Sequence, residues 1–288
     1  MTFRHLKIMT IVADLGSMTE AAKKLYISQP SVSQAIREIE THYNIKLFER
    51  FSKKLYITDS GKQYLNYARH ITQLFEEMER SLTHENTLKI GASLTVGEAI
   101  MPELISRFKH VMPELKSHVV IKNTSELESL LLNNQIDMAL VEGNMYDPHI
   151  KMESVCEDEL LMVCGKSHPL YERQIHTAEA LQTFSFIVRE QGSGTRELLE
   201  RTFLERGLKL NIAWECNGFE SIKKAVAEGH GVAAISKRLV EDELKSGILK
   251  VIGKDLIQFK RTFNMAYHKN KFITPALLNM MTLIKKWV

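Results

Sequence analysis

A small, mainly α N-terminal unit, one long helix and a two-part α/β domain are what this sequence predicts. Three observations carry that reading. Basic residues gather in the first 62 positions, a long apolar repeat without proline follows, and from residue 88 short apolar runs alternate with helical stretches. The 288 residues are 44% apolar, enough for a substantial core and too many for a disordered chain. With 14 glycines and 6 prolines, collagen-like and low-complexity architectures are excluded. No stretch approaches the ~18 uncharged apolar residues of a membrane-spanning helix, and the N-terminus lacks the apolar core of a secretory signal. The cysteines Cys156, Cys164 and Cys216 are odd in number and lack metal-ligand spacing. A soluble protein of the reducing cytoplasm, with neither disulfide nor membrane partner, is expected.

Residues 1–62 hold ten Lys or Arg against six acids, a charge of +4, so a chain of net +3 leaves −1 for the remainder. A basic unit on a near-neutral body suits contact with a polyanion. Within it, Phe3, Leu6, Met9, Ile11 and Val12 predict a first helix stopped at Gly16. Ser17 and Glu20 form a capping-box pattern that opens a short second helix with Ala21, Ala22 and Leu25. After a turn at Tyr26-Ile27-Ser28, Pro30 falls in the first turn of a third helix over 29–43. Val32, Ile36, Ile39 and Tyr43 give that helix one buried stripe. Its opening turn and opposite face carry Ser28, Gln29, Pro30, Ser31, Ser33, Gln34 and Arg37. A helix anchored on one side and polar at its N-terminal end is what a helix-turn-helix sets into the major groove of double-stranded DNA. Two short apolar runs over 47–57 then flank a basic tip, a hairpin wing that puts Arg50, Lys53 and Lys54 beside the phosphates.

From Thr58, a candidate N-cap, to about residue 84 no proline occurs. Tyr64, Ala68, Ile71, Phe75, Met78 and Leu82 make a seam at alternating spacings of four and three. Packing on its own effector domain is one use of that seam; a second copy of the chain is the other, and the one favoured here.

Several segments of this unit resemble the LysR-type transcriptional regulator family. They are Ala21-Ala22-Lys23-Lys24-Leu25, Ser28-Gln29-Pro30-Ser31-Val32-Ser33-Gln34-Ala35-Ile36, Leu47-Phe48-Glu49-Arg50 and Ile57-Thr58-Asp59-Ser60-Gly61. Gln34 stands where that family more often has Arg. The resemblance implies a sequence-specific regulator that dimerises through the linker helix, reads an interrupted palindrome and assembles as a dimer or tetramer. It is not expected to be an enzyme, and no cofactor is implied.

The rest of the chain predicts strands over 88–92, 117–122, 137–142, 160–164, 185–188, 232–236, 249–252 and 262–267. Helices over 98–112, 125–134, 194–207, 219–228, 237–246 and 274–287 separate or follow them. That alternation is an α/β architecture with largely parallel sheets, and its two halves look like a periplasmic-binding-protein-type fold. The whole chain then reads as a winged helix-turn-helix over 1–58, a linker helix over 59–87 and an effector-binding domain over 88–288. In the family reading, subdomain I takes 88–163 and 266–288, and subdomain II takes 164–265.

Open α/β sheets bind ligands beyond the C-terminal ends of their strands, here the cleft between the halves. Three strand-to-helix segments converge there: Ser93-Leu94-Thr95, Asn123-Thr124-Ser125, and Gln191 to Arg196 with Gly192, Ser193, Gly194 and Thr195. Hydroxyls and free N–H groups at helix N-termini favour an anion, although ordinary capping explains each segment alone. The resemblance places effector contacts at these segments, and the Glu190–Arg196 run resembles members linked to inorganic sulfur or one-carbon anions. A small oxyanion is the expected effector. Gly229-His230-Gly231 mimics a dinucleotide fingerprint, but a helix precedes it and a strand follows, the reverse of what a phosphate turn needs. An effector-independent regulator with a filled cleft stays open as an alternative, as does an α/β ligand-binding protein or enzyme.

Overall fold

A computed structural model describes residues 1–51, 54–82 and 87–286. The chain divides into a unit built mainly from the residues before 87 and a second built mainly from those after. In the first, α1 (Phe3–Leu15) ends at Gly16, whose φ of +59° is a left-handed conformation that glycine adopts without strain. Ser17 caps α2 (Met18–Leu25) by accepting from the Glu20 N–H at 3.3 Å. Only half of the expected capping box forms, because the Glu20 carboxylate takes a bond from Lys23 Nζ at 2.9 Å instead of reaching back.

In α3 (Gln29–Tyr43), Val32, Ala35, Ile36 and Ile39 are buried. Tyr43 is not the fourth member of that stripe: it ends the helix, lies largely exposed, and meets the edge of Tyr64 at 5.9 Å. The antiparallel strands β1 (Phe48–Phe51) and β2 (Lys54–Ile57) form the wing, with Phe48 opposite Ile57. Glu40 of α3 accepts from the Leu47 N–H at 2.9 Å, which fixes where the wing leaves the helix.

The long helix α4 (Asp59–Leu82) starts where the Thr58 hydroxyl accepts from the Gly61 N–H at 2.9 Å. A Cβ on Gly61 would collide with the Leu47 carbonyl and stand 2.7 Å from Ile57, so only glycine lets α4 press against the wing. Leu65 and Tyr64 join the core of the helix-turn-helix, Ala68 is fully buried, and Phe75 packs at a tilt against Phe3 with ring centroids 4.4 Å apart. The first turns of the predicted seam are therefore used within this unit. Tyr67, Ile71, Leu74, Phe75 and Met78 are exposed, and the side chain of Leu82 lies outside the described residues.

The second unit runs β3 (Thr87–Ala92), α5 (Leu94–Ala99), α6 (Met101–Val111), β4 (Lys116–Ile121), α7 (Thr124–Leu132) and β5 (Met138–Val141). It continues with β6 (Ile150–Gly165), β7 (Phe186–Arg189), α8 (Gly194–Glu205), β8 (Ile212–Cys216) and α9 (Phe219–Ala227). β9 (Ala233–Ser236), α10 (Lys237–Lys245), β10 (Leu249–Val251), β11 (Phe259–His268) and α11 (Pro275–Lys286) complete it. The predicted helix over 98–112 is two helices, broken at Ile100 just before Pro102.

Parallel pairs β3–β4 and β3–β5 join antiparallel β11 and β6 in one sheet. Beyond it, β6 pairs with β9 and β10, β7 pairs with β8 in parallel, and one bridge joins Phe186 to Val232 next to β9. β6 and β11 are long enough to serve both halves. Cys156 and Phe263 pack with the first core, whereas Leu160 and Phe259 pack with another. The crossing thus lies at 157–159 and 260–262, where Asp158 faces Arg261.

Candidate functional site

On α3, Pro30, Gln34 and Arg37 are exposed, and with Gln29 and Ser33 they line one open groove along the solvent face. Ser28 caps the helix by accepting from the Ser31 N–H at 3.3 Å, and the two hydroxyls are 2.8 Å apart. These serines shape the helix tip as well as facing outward. Gln34 Nε2 donates to Glu38 at 2.9 Å, while His5 pairs with the other oxygen of that carboxylate at 2.8 Å. Those hydrogen bonds, from His5 first and then Gln34, hold the Glu38 carboxyl below its ordinary range. Lys53 and the side chains of Arg50 and Lys54 lie outside the described residues.

In the second unit the three predicted segments do meet. The Ser125 N–H donates to the Gly192 carbonyl at 3.3 Å, and Asn123 Nδ2 to the Gln191 carbonyl at 3.4 Å, bridging the two halves. A Cβ built on Gly194 would lie 2.6 Å from Gly143 N, so the halves touch backbone to backbone at these glycines.

Arg261, on the shared strand β11, ties the centre together. Its Nη1 donates to Thr195 at 2.9 Å, its Nη2 to Thr95 at 3.3 Å, and its Nε to Asp158 at 2.7 Å. Ser236 donates to the other Asp158 oxygen at 2.8 Å. Removing either charge of this buried pair would strand the other. Thr95 also donates to Glu142 Oε1 at 3.1 Å. Thr95 and Thr195 are therefore committed to the protein.

Ordinary capping explains Asn123, whose Oδ1 accepts from the Glu126 N–H at 2.9 Å. It does not explain Ser93 or Ser193. Both precede a helix, yet neither hydroxyl makes a capping bond. Ser93 Oγ, Thr124 Oγ1, Ser193 Oγ, Arg189 Nη1 and Glu142 Oε2 are buried with no partner among the described residues. Buried polar atoms without partners are costly, and a group of them around one cleft marks a place where something else supplies the bonds.

The cation within the predicted segments is engaged by protein. Arg196 donates to Glu200 at 2.7 Å, to the Arg189 carbonyl at 3.0 Å and to Glu215. Burial disfavours its charge, but the bonds to Glu200 and Glu215 outweigh that and raise its pKa. Arg189, at the end of β7, grips both oxygens of Glu190 at 2.7 and 2.8 Å and lies 4.8 Å over the Phe219 ring. Its Nη1 is left for another acceptor. Arg189, Glu142 and Arg261 escape sequence reasoning because nothing local marks them. Each stands at a strand end or in mid-strand, outside the segments that precede helices.

Comparison with known proteins agrees with both units. Residues 3–62 match the family described as bacterial regulatory helix-turn-helix protein, lysR family, and residues 83–288 match the LysR substrate binding domain. The Escherichia coli regulator YeiE, described as an uncharacterized HTH-type transcriptional regulator, is 31% identical over 96% of this chain and 94% of its own. A full-length OxyR variant from Pseudomonas aeruginosa aligns over 99% of this chain and 94% of its own, with a TM-score of 0.70 at 19% identity. The Synechocystis CcmR regulatory domain, solved in complex with 2-PG, covers 70% of this chain and 97% of its own, with a TM-score of 0.64 at 22% identity.

Proposed function

Because this chain belongs to the LysR family of bacterial transcriptional regulators, with a DNA-binding helix-turn-helix and a small-molecule effector domain, we propose where each partner binds and how binding of one acts on the other. Double-stranded DNA is read by Gln29, Ser33, Gln34 and Arg37 from the solvent face of α3, with Pro30 and the Ser28–Ser31 pair shaping its tip. The basic wing residues Arg50, Lys53 and Lys54 hold the phosphates. Two copies joined along the exposed part of α4 place two α3 helices on an interrupted palindrome, and a pair of such dimers makes a tetramer.

A small anionic effector sits between the halves of the second unit. It rests on Ser93, Thr124 and Ser193, with Asn123, Gly192 and Gln191 over the entrance and Thr95 and Thr195 held behind it by Arg261. Five buried polar atoms without partners among the described residues carry this reading. A filled cleft would have satisfied them. Closure on the effector then changes the angle between halves and, through α4, the spacing of the reading helices, a coupling of about 1–3 kcal/mol. Calorimetry against small oxyanions, with operator affinity measured in parallel, tests this. Heat of binding with a five- to 150-fold shift in DNA affinity, roughly the range of such couplings, is expected. Neither heat nor shift with any anion would leave the effector-independent regulator as the better account.

A further inference from the structure

The cleft does not offer only positive and neutral groups. Glu142, at the end of β5, is buried, and its Oε1 is occupied by the Thr95 hydroxyl while its Oε2 has no partner among the described residues. Its surroundings fix which way it faces. Thr95 is in the first turn of α5, and the next residue, Gly143, lies against Gly194 and within 2.7 Å, counted from a built Cβ, of Thr124 Oγ1. The end of β5 is thus packed against Thr124 and Gly194, and Glu142 itself lines a pocket with Gly194, Lys260 and Arg261.

Three arginines of this region with buried side chains are matched by protein carboxylates. Arg189 is matched by both oxygens of Glu190, Arg261 by Asp158, and Arg196 by Glu200 and Glu215. Glu142 bonds to the neutral Thr95 hydroxyl instead, and its second oxygen stays open. A fully deprotonated anion placed here would set an oxygen against Glu142 Oε2, acceptor against acceptor. Hydroxyls can turn to donate or accept, but a carboxylate can only accept.

We infer that the effector is an anion that keeps a hydroxyl hydrogen of its own: a protonated oxyanion or a small hydroxy acid whose O–H donates to Glu142 Oε2 while its anionic oxygens take Arg189 Nη1 and the serine hydroxyls. Glu142 is then the specificity-determining residue, admitting hydroxylated anions and rejecting those that are all acceptor. This rests on the cleft being the effector site, and adds to it the chemical class that the site accepts.

Two matched pairs of probes test the inference on the full-length protein by calorimetry. At about pH 8, hydrogen phosphate and sulfate share shape and charge and differ in one O–H. Glycolate and acetate differ in the same way. With the native protein, phosphate is expected to bind roughly ten- to a hundredfold more tightly than sulfate, and glycolate more tightly than acetate, the ratio set by one unsatisfied buried acceptor. In Glu142→Gln the amide keeps an oxygen for Thr95 and turns an N–H to the ligand, so the preference falls or reverses and sulfate gains. Equal affinity within each pair, unchanged by Glu142→Gln, overturns the inference while leaving the cleft as an anion site. Uniform weakening of all four probes in the variant also overturns it, since a merely structural role would do that. No heat from any probe with the native protein overturns the anion-binding cleft and this inference together.

Discussion

Gln29 opens α3 where a side-chain amide can reach a base edge, and a Gln amide suits the N6 and N7 edge of adenine. Gln29→Ala is expected to cost about 1–3 kcal/mol at particular base positions and to relax discrimination there. Arg50→Ala should weaken every sequence to a similar degree and reduce the slope of log affinity against log salt by about one. Binding titrations over a set of operator variants at several salt concentrations separate the two roles, and identical profiles for both variants would refute them. Residues of this kind are legible because reading helices carry a local signature: an N-cap, a proline in the first turn, and amides opposite an apolar stripe. The cleft is legible only at its rim. Ser93, Thr124 and Ser193 follow strand ends and can be found by context, whereas Arg261 meets Thr95 across 166 positions of sequence. No window of sequence holds that contact.

Among elements, β6 shows most clearly where the pattern misleads. Its end, from Leu160, is an unbroken apolar run and reads as a strand; the part before it carries Glu153, Glu157, Asp158 and Glu159 and resembles a loop until β11 pairs along it. Strand β8 escapes for a related reason: it is an edge strand whose residues are largely exposed, so it shows no buried face. The charges on β6 have work of their own. Glu153 accepts from Tyr267 at 2.6 Å and pairs with Lys285 of α11 at 2.7 Å and Lys151 at 2.9 Å. The hydrogen bond from Lys285, then those from Tyr267 and Lys151, lower its pKa from the ordinary 4.5 to about 2. A carboxyl depressed in the folded state adds stability that is fully present above the ordinary value and is lost as pH falls through the folded one. Stability should therefore decline between about 4.5 and 2, and Glu153→Gln should flatten that part of the curve. Urea melts of both proteins across the acid range check this; parallel curves would mean that the contact does not fasten α11 to the sheet.

For the whole molecule, the proposed function requires two copies and a cleft that moves. Ile71 is exposed on the part of α4 not used by the helix-turn-helix core. Two symmetry-related Ile71→Glu substitutions would set like charges into an apolar seam. Sedimentation should then find monomers, with operator affinity lowered about a hundredfold or more as the second half-site contact is lost. A dimer that survives this change must be held elsewhere. Movement of the cleft is tested at Gly194, whose φ is not among the left-handed ones and which opens α8, so alanine there suits the backbone of its own half. The obstacle lies across the cleft, at Gly143, where the added methyl meets backbone that cannot turn aside. Overpacking of that order costs about 1–3 kcal/mol in an arrangement that keeps the two glycines in contact, as this one does. Gly194→Ala should consequently melt a few degrees lower, still bind its operator, and need about ten- to a hundredfold more effector for the same shift in DNA affinity. Gly143→Ala, which approaches the same contact from the other half, should reproduce that loss. A normal response in both variants would mean that the glycine contact takes no part in closure, and that the switch lies in some other rearrangement of the two halves.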